Sequence, residues 1–234
     1  MREDSKLLNR RRRFLTGVGV VATGATLAAT ARAADNHAQH HGSAGFTPAR
    51  HEQDAWMDEL PGTHRAFIDS SRGAGGADAL NYANNILTGH SEVYGGSDAD
   101  YAMIVCFRHM STPLGYNDAI WAKYGEGLSR FVGLTAPGSD QPLAVNPMNI
   151  EQAAYGNRGT TLATLAGKGV QFAICSRATQ AVAGMLARSS SSSFEEIHQE
   201  LISNNIPNSR FVPAGVLAAT RAQEYGYSLL FAAG

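Results

Sequence analysis

The chain has 234 residues, and its first 33 have the composition of an export signal rather than of a folded domain. The remaining 201 residues are enough for one domain with a real core. Their 12 Lys/Arg against 18 Asp/Glu, a net charge of −6, argue against a nucleic-acid or anionic-membrane surface, and two cysteines are too few for a disulfide scaffold.

Residues 10–13 are four consecutive arginines, followed by a weakly apolar stretch at 15–31 and the small-x-small ending Ala31-Arg32-Ala33. The stretch is too short and too rich in Gly and Thr to make a good spanning helix, which needs about 20 apolar residues. Arg11, Arg12, Phe14 and Leu15 resemble the twin-arginine type of signal, so cleavage after Ala33 and export to the periplasm are expected, with no stable membrane span left afterwards. That route carries chains already folded, so Cys106 and Cys175 can be buried as thiols before they meet an oxidant. Residues 34–62 are polar and unpatterned and read as a flexible linker. His37, His40 and His41 fall in it, but no Cys or carboxylate completes a ligand array, so a solvated tail is expected there and no metal site.

From residue 63 the pattern becomes regular, and 63–234 are expected to form the folded domain. Residues 65–69 (RAFID) predict a short strand, 70–76 a glycine-rich turn, and 78–87 (DALNYANNIL) a helix with Leu80, Ala83, Asn84 and Leu87 on one face. The glycines do not complete G-x-G-x-x-G, because Asp78 stands at the last glycine position, and there is no P-loop lysine; a tight turn is expected rather than a phosphate site. Residues 101–107 (YAMIVCF) are a near-continuous apolar run suited to a strand buried on both faces, with Cys106 in its core and Arg108-His109 closing it. Residues 117–131 predict a helix carrying Trp121, Lys123 and Tyr124, and 133–150 a long proline-containing loop with the stiff Asn146-Pro147 turn, of a length that usually covers something functional.

After a short helix near 160–168, the run Val170 to Ile174 leads straight into Cys175 and then into a small-residue helix. A cysteine so placed meets the unpaired N–H groups and positive dipole end of a helix, which favour a thiolate, and Arg177 adds a cation two residues on. Ser193-Phe-Glu-Glu196 fits the S-x-x-E capping box and opens a helix over 194–205. A strand at Phe211-Val212, a helix at 216–225 stopped by Gly226 and a final strand at 227–231 complete the pattern. Strands alternating with helices argue for an α/β fold with a mainly parallel sheet of about five strands and helices on both faces. The ligand crevice of such sheets lies at the C-terminal strand ends, which gives Cys175 and His109 equivalent positions on two strands. His109 suits a general acid/base, an anion binder or a metal ligand.

The strand-plus-cysteine GVQFAIC, Arg108-His109 closing a strand, Trp121-Ala-Lys123-Tyr124 and the Asn146-Pro147 turn together resemble the DsrE-like sulfur-relay family, in particular an exported branch. The late Pro213-Ala-Gly215-Val216 and Ala222-Gln-Glu-Tyr-Gly-Tyr227 runs fit the same pattern, so the resemblance covers essentially the whole domain. It implies a three-layer α/β/α unit, homo- or hetero-oligomers, and a cysteine that carries sulfur as a persulfide, at the position of Cys175. Three functions follow as expectations. The first is sulfur handling with Cys175, His109 and Arg177 as the reacting group and its helpers, using a sulfur donor or acceptor protein or a small sulfur anion and no cofactor. The second is a non-catalytic small-ligand site lined by Arg108, His109, Trp121, Lys123, Tyr124 and Asn146. The third is a homo-oligomeric assembly subunit with a Trp121/Tyr124 contact surface.

Overall fold

A computed structural model describes residues 47–152 and 154–234, so the signal segment, the expected cleavage site and His37, His40 and His41 lie outside the described residues. Five strands carry the chain from Pro48 to Gly234: β1 (His64–Ser70), β2 (Tyr101–Phe107), β3 (Gln171–Cys175), β4 (Ser209–Val212) and β5 (Ser228–Ala232). They form one wholly parallel sheet in the order β4-β3-β2-β1-β5. Seven α-helices accompany them among the described residues: α1 (Trp56–Glu59), α2 (Gly73–Tyr94), α3 (Asp118–Val132), α4 (Leu162–Gly167), α5 (Ser176–Ala187), α6 (Phe194–Ser203) and α7 (Gly215–Glu224).

The near-continuous apolar runs in β1, β2 and β3 follow from burial on both faces of a parallel sheet. Alternate residues sort to the two sides. Ala66, Ile68, Met103, Val105, Phe107, Phe172 and Ile174 join α2 through α6 in the larger core. Phe67, Ile104, Cys106, Ala173 and Val212 face the smaller one, closed by α7, α1, Tyr225 and Tyr227. The fold is therefore a three-layer α/β/α sandwich, with one thick and one thin helical layer.

The connections explain this split. From β1 to β4 the chain steps one strand at a time in one direction, and a right-handed crossover puts every intervening helix on the same face. To lay β5 beside β1 it must reverse direction, so α7 crosses the opposite face. Expected and observed elements agree along most of the chain, including the Ser193–Glu196 capping box.

Two expectations change. The glycines at 73, 75 and 76 are not in a turn but in the first turn of α2. A Cβ at Gly73 would strike the Val132 carbonyl and one at Gly75 the Ala232 carbonyl, so these glycines let the helix start press against α3 and β5. The segment 34–62, expected as a linker throughout, is folded onto the domain from Pro48 onward. Trp56 and Met57 are buried in the thin-layer core, Tyr227 Oη donates to the Met57 carbonyl at 2.7 Å, and Arg221 donates to Asp54 at 2.9 Å. Burial pushes the Tyr227 pKa up to about 12. A single helical turn is too short to show a period, which is why its apolar pair looks like linker. Among the described residues no helix is long and apolar enough to cross a membrane.

Candidate functional site

Adjacent strands whose outgoing chains leave by opposite faces open a crevice between their C-terminal ends. Here that condition holds for β3, which leads into α5 on the thick side, and β4, which leads into α7 on the thin side. Cys175 is the last residue of β3 and lies opposite Val212, the last residue of β4. It is also the N-cap of α5, and its Sγ accepts the Ala178 N–H at 3.5 Å. The residue is buried but keeps 6% exposure, against 0% for Cys106.

Strand register brings the next groups alongside. Cys106 pairs with Ala173, so two residues further on Arg108 comes level with Cys175 and shares its face of the sheet. On the other side Asp69 pairs with both Cys106 and Phe231. The Asp69 carboxylate, almost wholly buried, accepts Arg108 Nε at 2.8 and 3.0 Å and Arg108 Nη2 at 2.8 Å. This fork holds the guanidinium flat, 5.7 Å from the centroid of the Phe231 ring. The hydrogen bond to Asp69 raises the Arg108 pKa further, so its charge is permanent. The stem of Arg108 lies against Gly215 at the start of α7, where a Cβ would come within 2.5 Å of its own Cβ. Beneath the strand ends, Ser70 Oγ donates to the Cys106 carbonyl at 2.7 Å, and Ser111 Oγ accepts the Arg108 N–H at 3.0 Å, which fixes the backbone as it leaves β2.

The two thiols differ in kind. Burial, then the nearby Asp69 and Cys175, push the Cys106 thiol well above the usual cysteine range, so it stays protonated and unreactive. Both cysteines are unbonded. Of the two, Cys175 combines a helix start with a strand end and keeps a trace of exposure.

The other residues singled out in the sequence divide clearly. Arg108 joins Cys175. His109 follows Arg108 but is exposed, with a left-handed backbone (φ 54°) that turns the chain sharply out of the strand. Arg177, also exposed, lies on the first turn of α5. Trp121 is wholly buried in the thick layer, its indole N–H donating to the Pro113 carbonyl at 3.1 Å. Asn146 is equally buried: its amide donates to the Leu114 and Tyr116 carbonyls at 2.8 Å, and its Oδ1 accepts the Met148 N–H. Both therefore pin loops rather than line the crevice.

Lys123 and Tyr124 converge on Glu200 of α6, at 2.7 and 2.6 Å. Burial alone would raise the Glu200 pKa, but these two hydrogen bonds outweigh it and hold the carboxyl below its usual range. The cluster clamps α3 to α6 and borders a cleft of 390 Å³ with the serine run at 189–192, in the thick layer rather than at Cys175. The long loop after α3 packs onto that helix, as when Leu143 N–H donates to Ser129 Oγ at 2.8 Å, and so covers α3 instead of the crevice. Asp69 was not visible as a site residue. Its only sequence signal is a carboxylate at the end of an otherwise apolar strand, out of keeping with the buried pattern around it.

Among the described residues no group of three or more His, Cys, Asp or Glu side chains is arranged to hold a metal ion. Fold and site together define a parallel α/β/α protein with a nearly buried thiol at its topological switch point and an anchored guanidinium at the end of the neighbouring strand. Beyond that class the comparisons are silent: the chain matches no protein-family model, no curated protein and no solved structure.

Proposed function

We propose that this chain is an exported, DsrE-like sulfur-handling protein in which Cys175 carries sulfane sulfur as a persulfide. The observation that carries this reading is the setting of the Cys175 Sγ: it caps α5, accepts the Ala178 N–H, and lies level with Arg108 across the strand register. A persulfide anion accepts such an N–H more strongly than a neutral thiol does and gains from a fixed cation beside it. Cys106 supplies the internal contrast, because its burial denies it both access and charge. Export rests on the signal-like first 33 residues, and a donor or acceptor of sulfur completes the role.

Intact mass tests it. After incubation with polysulfide and removal of excess, wild type and Cys106→Ser should gain sulfur atoms that a reductant removes, and Cys175→Ser should gain none. Equal uptake by Cys175→Ser sinks the reading.

Self-assembly without chemistry is the second reading, favoured by a specific feature. Val216 and Leu217 of α7 and Leu229 and Phe231 of β5 are all substantially exposed on the thin-layer side and its strand edge. Light scattering that gives a monomer for wild type removes it.

A further inference from the structure

The thiol in the crevice has a cation beside it that the chain goes to some trouble to hold still. Burying a carboxylate costs several kcal/mol unless it is well paired, and Asp69 is nearly fully buried, spending both its oxygens on Arg108. Two of the three guanidinium nitrogens, Nε and Nη2, are committed to that fork. The third, Nη1, makes no hydrogen bond to another described residue, and the side chain keeps about a fifth of its surface exposed.

Directly against the Arg108 stem, α7 begins at Gly215. Its N-cap, Ala214, has no side chain to satisfy the first N–H groups, and Gly215 leaves no Cβ to screen them. On the far side of Cys175 lies the start of α5. A guanidinium with a free nitrogen and an uncapped helix start therefore lie together, on the face of the sheet that Cys175 shares. No carboxylate other than the one already paired to Arg108 shares that strand-end row, which runs Val212, Cys175, Arg108, Asp69, Phe231.

We infer that Arg108, held by Asp69, is an oxyanion-binding arm that selects a small dianionic donor of the thiosulfate class for Cys175. This rests on the reading of Cys175 as the sulfur acceptor, and deepens it by naming the donor. Arg108 Nη1 and the first N–H groups of α7 hold the sulfonate head, which leaves the outer sulfur toward Cys175. The Cys175 thiol gives its proton to water. Its thiolate then supplies the electron pair for a new S–S bond to the outer sulfur, the donor's own S–S bond breaks, and sulfite leaves with that pair. Cys175 is left as the persulfide, and charge and atoms balance with no added oxidant or reductant. The 6% exposure of Cys175 suits a small ion entering end-on better than a loop of a folded donor protein. Asp69 is a positioning residue, acting only through Arg108.

The test uses the full chain in two readouts. Sulfur uptake by intact mass is timed with thiosulfate and, separately, with polysulfide, which lacks a sulfonate head. Arg108→Met should slow uptake from thiosulfate about 10- to 100-fold, the worth of one hydrogen bond to a charged group, and leave the polysulfide rate within about threefold. Arg108→Lys should recover part of the loss, and Asp69→Asn should raise the KM for thiosulfate more than it lowers the maximal rate. Independently, sulfite should raise the melting temperature of Cys175→Ser and not that of Cys175→Ser/Arg108→Met.

If Arg108→Met folds poorly with Asp69 unpaired, Asp69→Asn/Arg108→Gln replaces the pair by neutral partners and is read the same way. Equal slowing with both donors, or sulfite stabilising both Cys175→Ser proteins alike, overturns the arm and leaves Cys175 as acceptor. Sulfite binding that depends on Arg108, in a protein that takes sulfur from neither donor, keeps the arm and overturns the acceptor.

Discussion

The two faces of the sheet are built from the same strands and do opposite work. On the thick face, α2 through α6 bury a continuous core, and even the polar residues there, Trp121, Asn146 and Tyr116, spend their donors on carbonyls or hydroxyls inside it. On the thin face one ten-residue helix and a single turn cover the strands. Its upper edge carries the ion pair and the thiol. Direction reversal in the chain, which sends α7 across that side, is what leaves the strand ends under a thinner cover. Where the sheet is most heavily packed it is chemically mute.

Three measurements break or sharpen this contrast, and the largest effect belongs to the thiols. Under native conditions a small alkylating reagent should modify Cys175 while Cys106 stays protected until global unfolding, a difference of at least about 1,000-fold in rate for a core group in a stable domain. Peptide mapping of the labelled chain reads it directly, and equal labelling would mean that the thin layer opens locally.

Next, Trp121→Ala should lower unfolding free energy by about 3–5 kcal/mol, as expected for a large aromatic lost from a packed core. Sulfur uptake by the folded fraction should be unchanged. Denaturant titration with uptake measured well below the midpoint separates the two, and lost uptake by a folded Trp121→Ala would place that residue in the site after all.

The smallest effect is on the thin side. Tyr227→Phe removes the hydroxyl that donates to the Met57 carbonyl and should cost about 0.5–1.5 kcal/mol, the net worth of one hydrogen bond, because Arg65 Nη1 still donates to that carbonyl at 3.2 Å. A cost near zero in denaturant titration would show that the segment before β1 is held by its apolar side chains and its contacts with Arg65 and Arg221, without help from this hydroxyl.

How far the sequence revealed this arrangement depended on the range of each signal. Local patterns were legible: the apolar run into Cys175, the Ser193–Glu196 capping box and Gly226 after α7 each announce themselves within a few residues. Contacts set by register were not. Asp69 and Arg108 are 39 positions apart and meet only because β1 and β2 pair with Asp69 opposite Cys106. The same limit hid the role of Gly73 and Gly75, whose spacing suggests a turn, whereas what demands them is the approach of carbonyls from Val132 and Ala232. Trp121 and Asn146 look like site residues for a related reason: a polar aromatic and an amide draw notice, and the carbonyls that satisfy them belong to other segments. His109 and Arg177 were placed near the right strand ends, yet the cation tied down beside the thiol is Arg108.

The strand order also has a consequence in time. Among the described residues β1 is the first strand made, and its neighbour β2 follows within one helical crossover, but its other neighbour, β5, is the last. Closing that second pairing joins residues 66 and 228, a loop whose entropy cost exceeds that of the β1–β2 closure by only about 1 kcal/mol. The delay matters more than the cost. At ordinary synthesis rates one edge of β1 stays unpaired for on the order of ten seconds, long enough to attract another chain's strand. Phe231, the ring beside the Arg108 guanidinium, arrives with that final strand. The strand-end row is therefore completed only as the sheet finishes zipping, and a partly made chain carries its cysteine beside the Arg108–Asp69 pair before Phe231 has closed the far side of that pair.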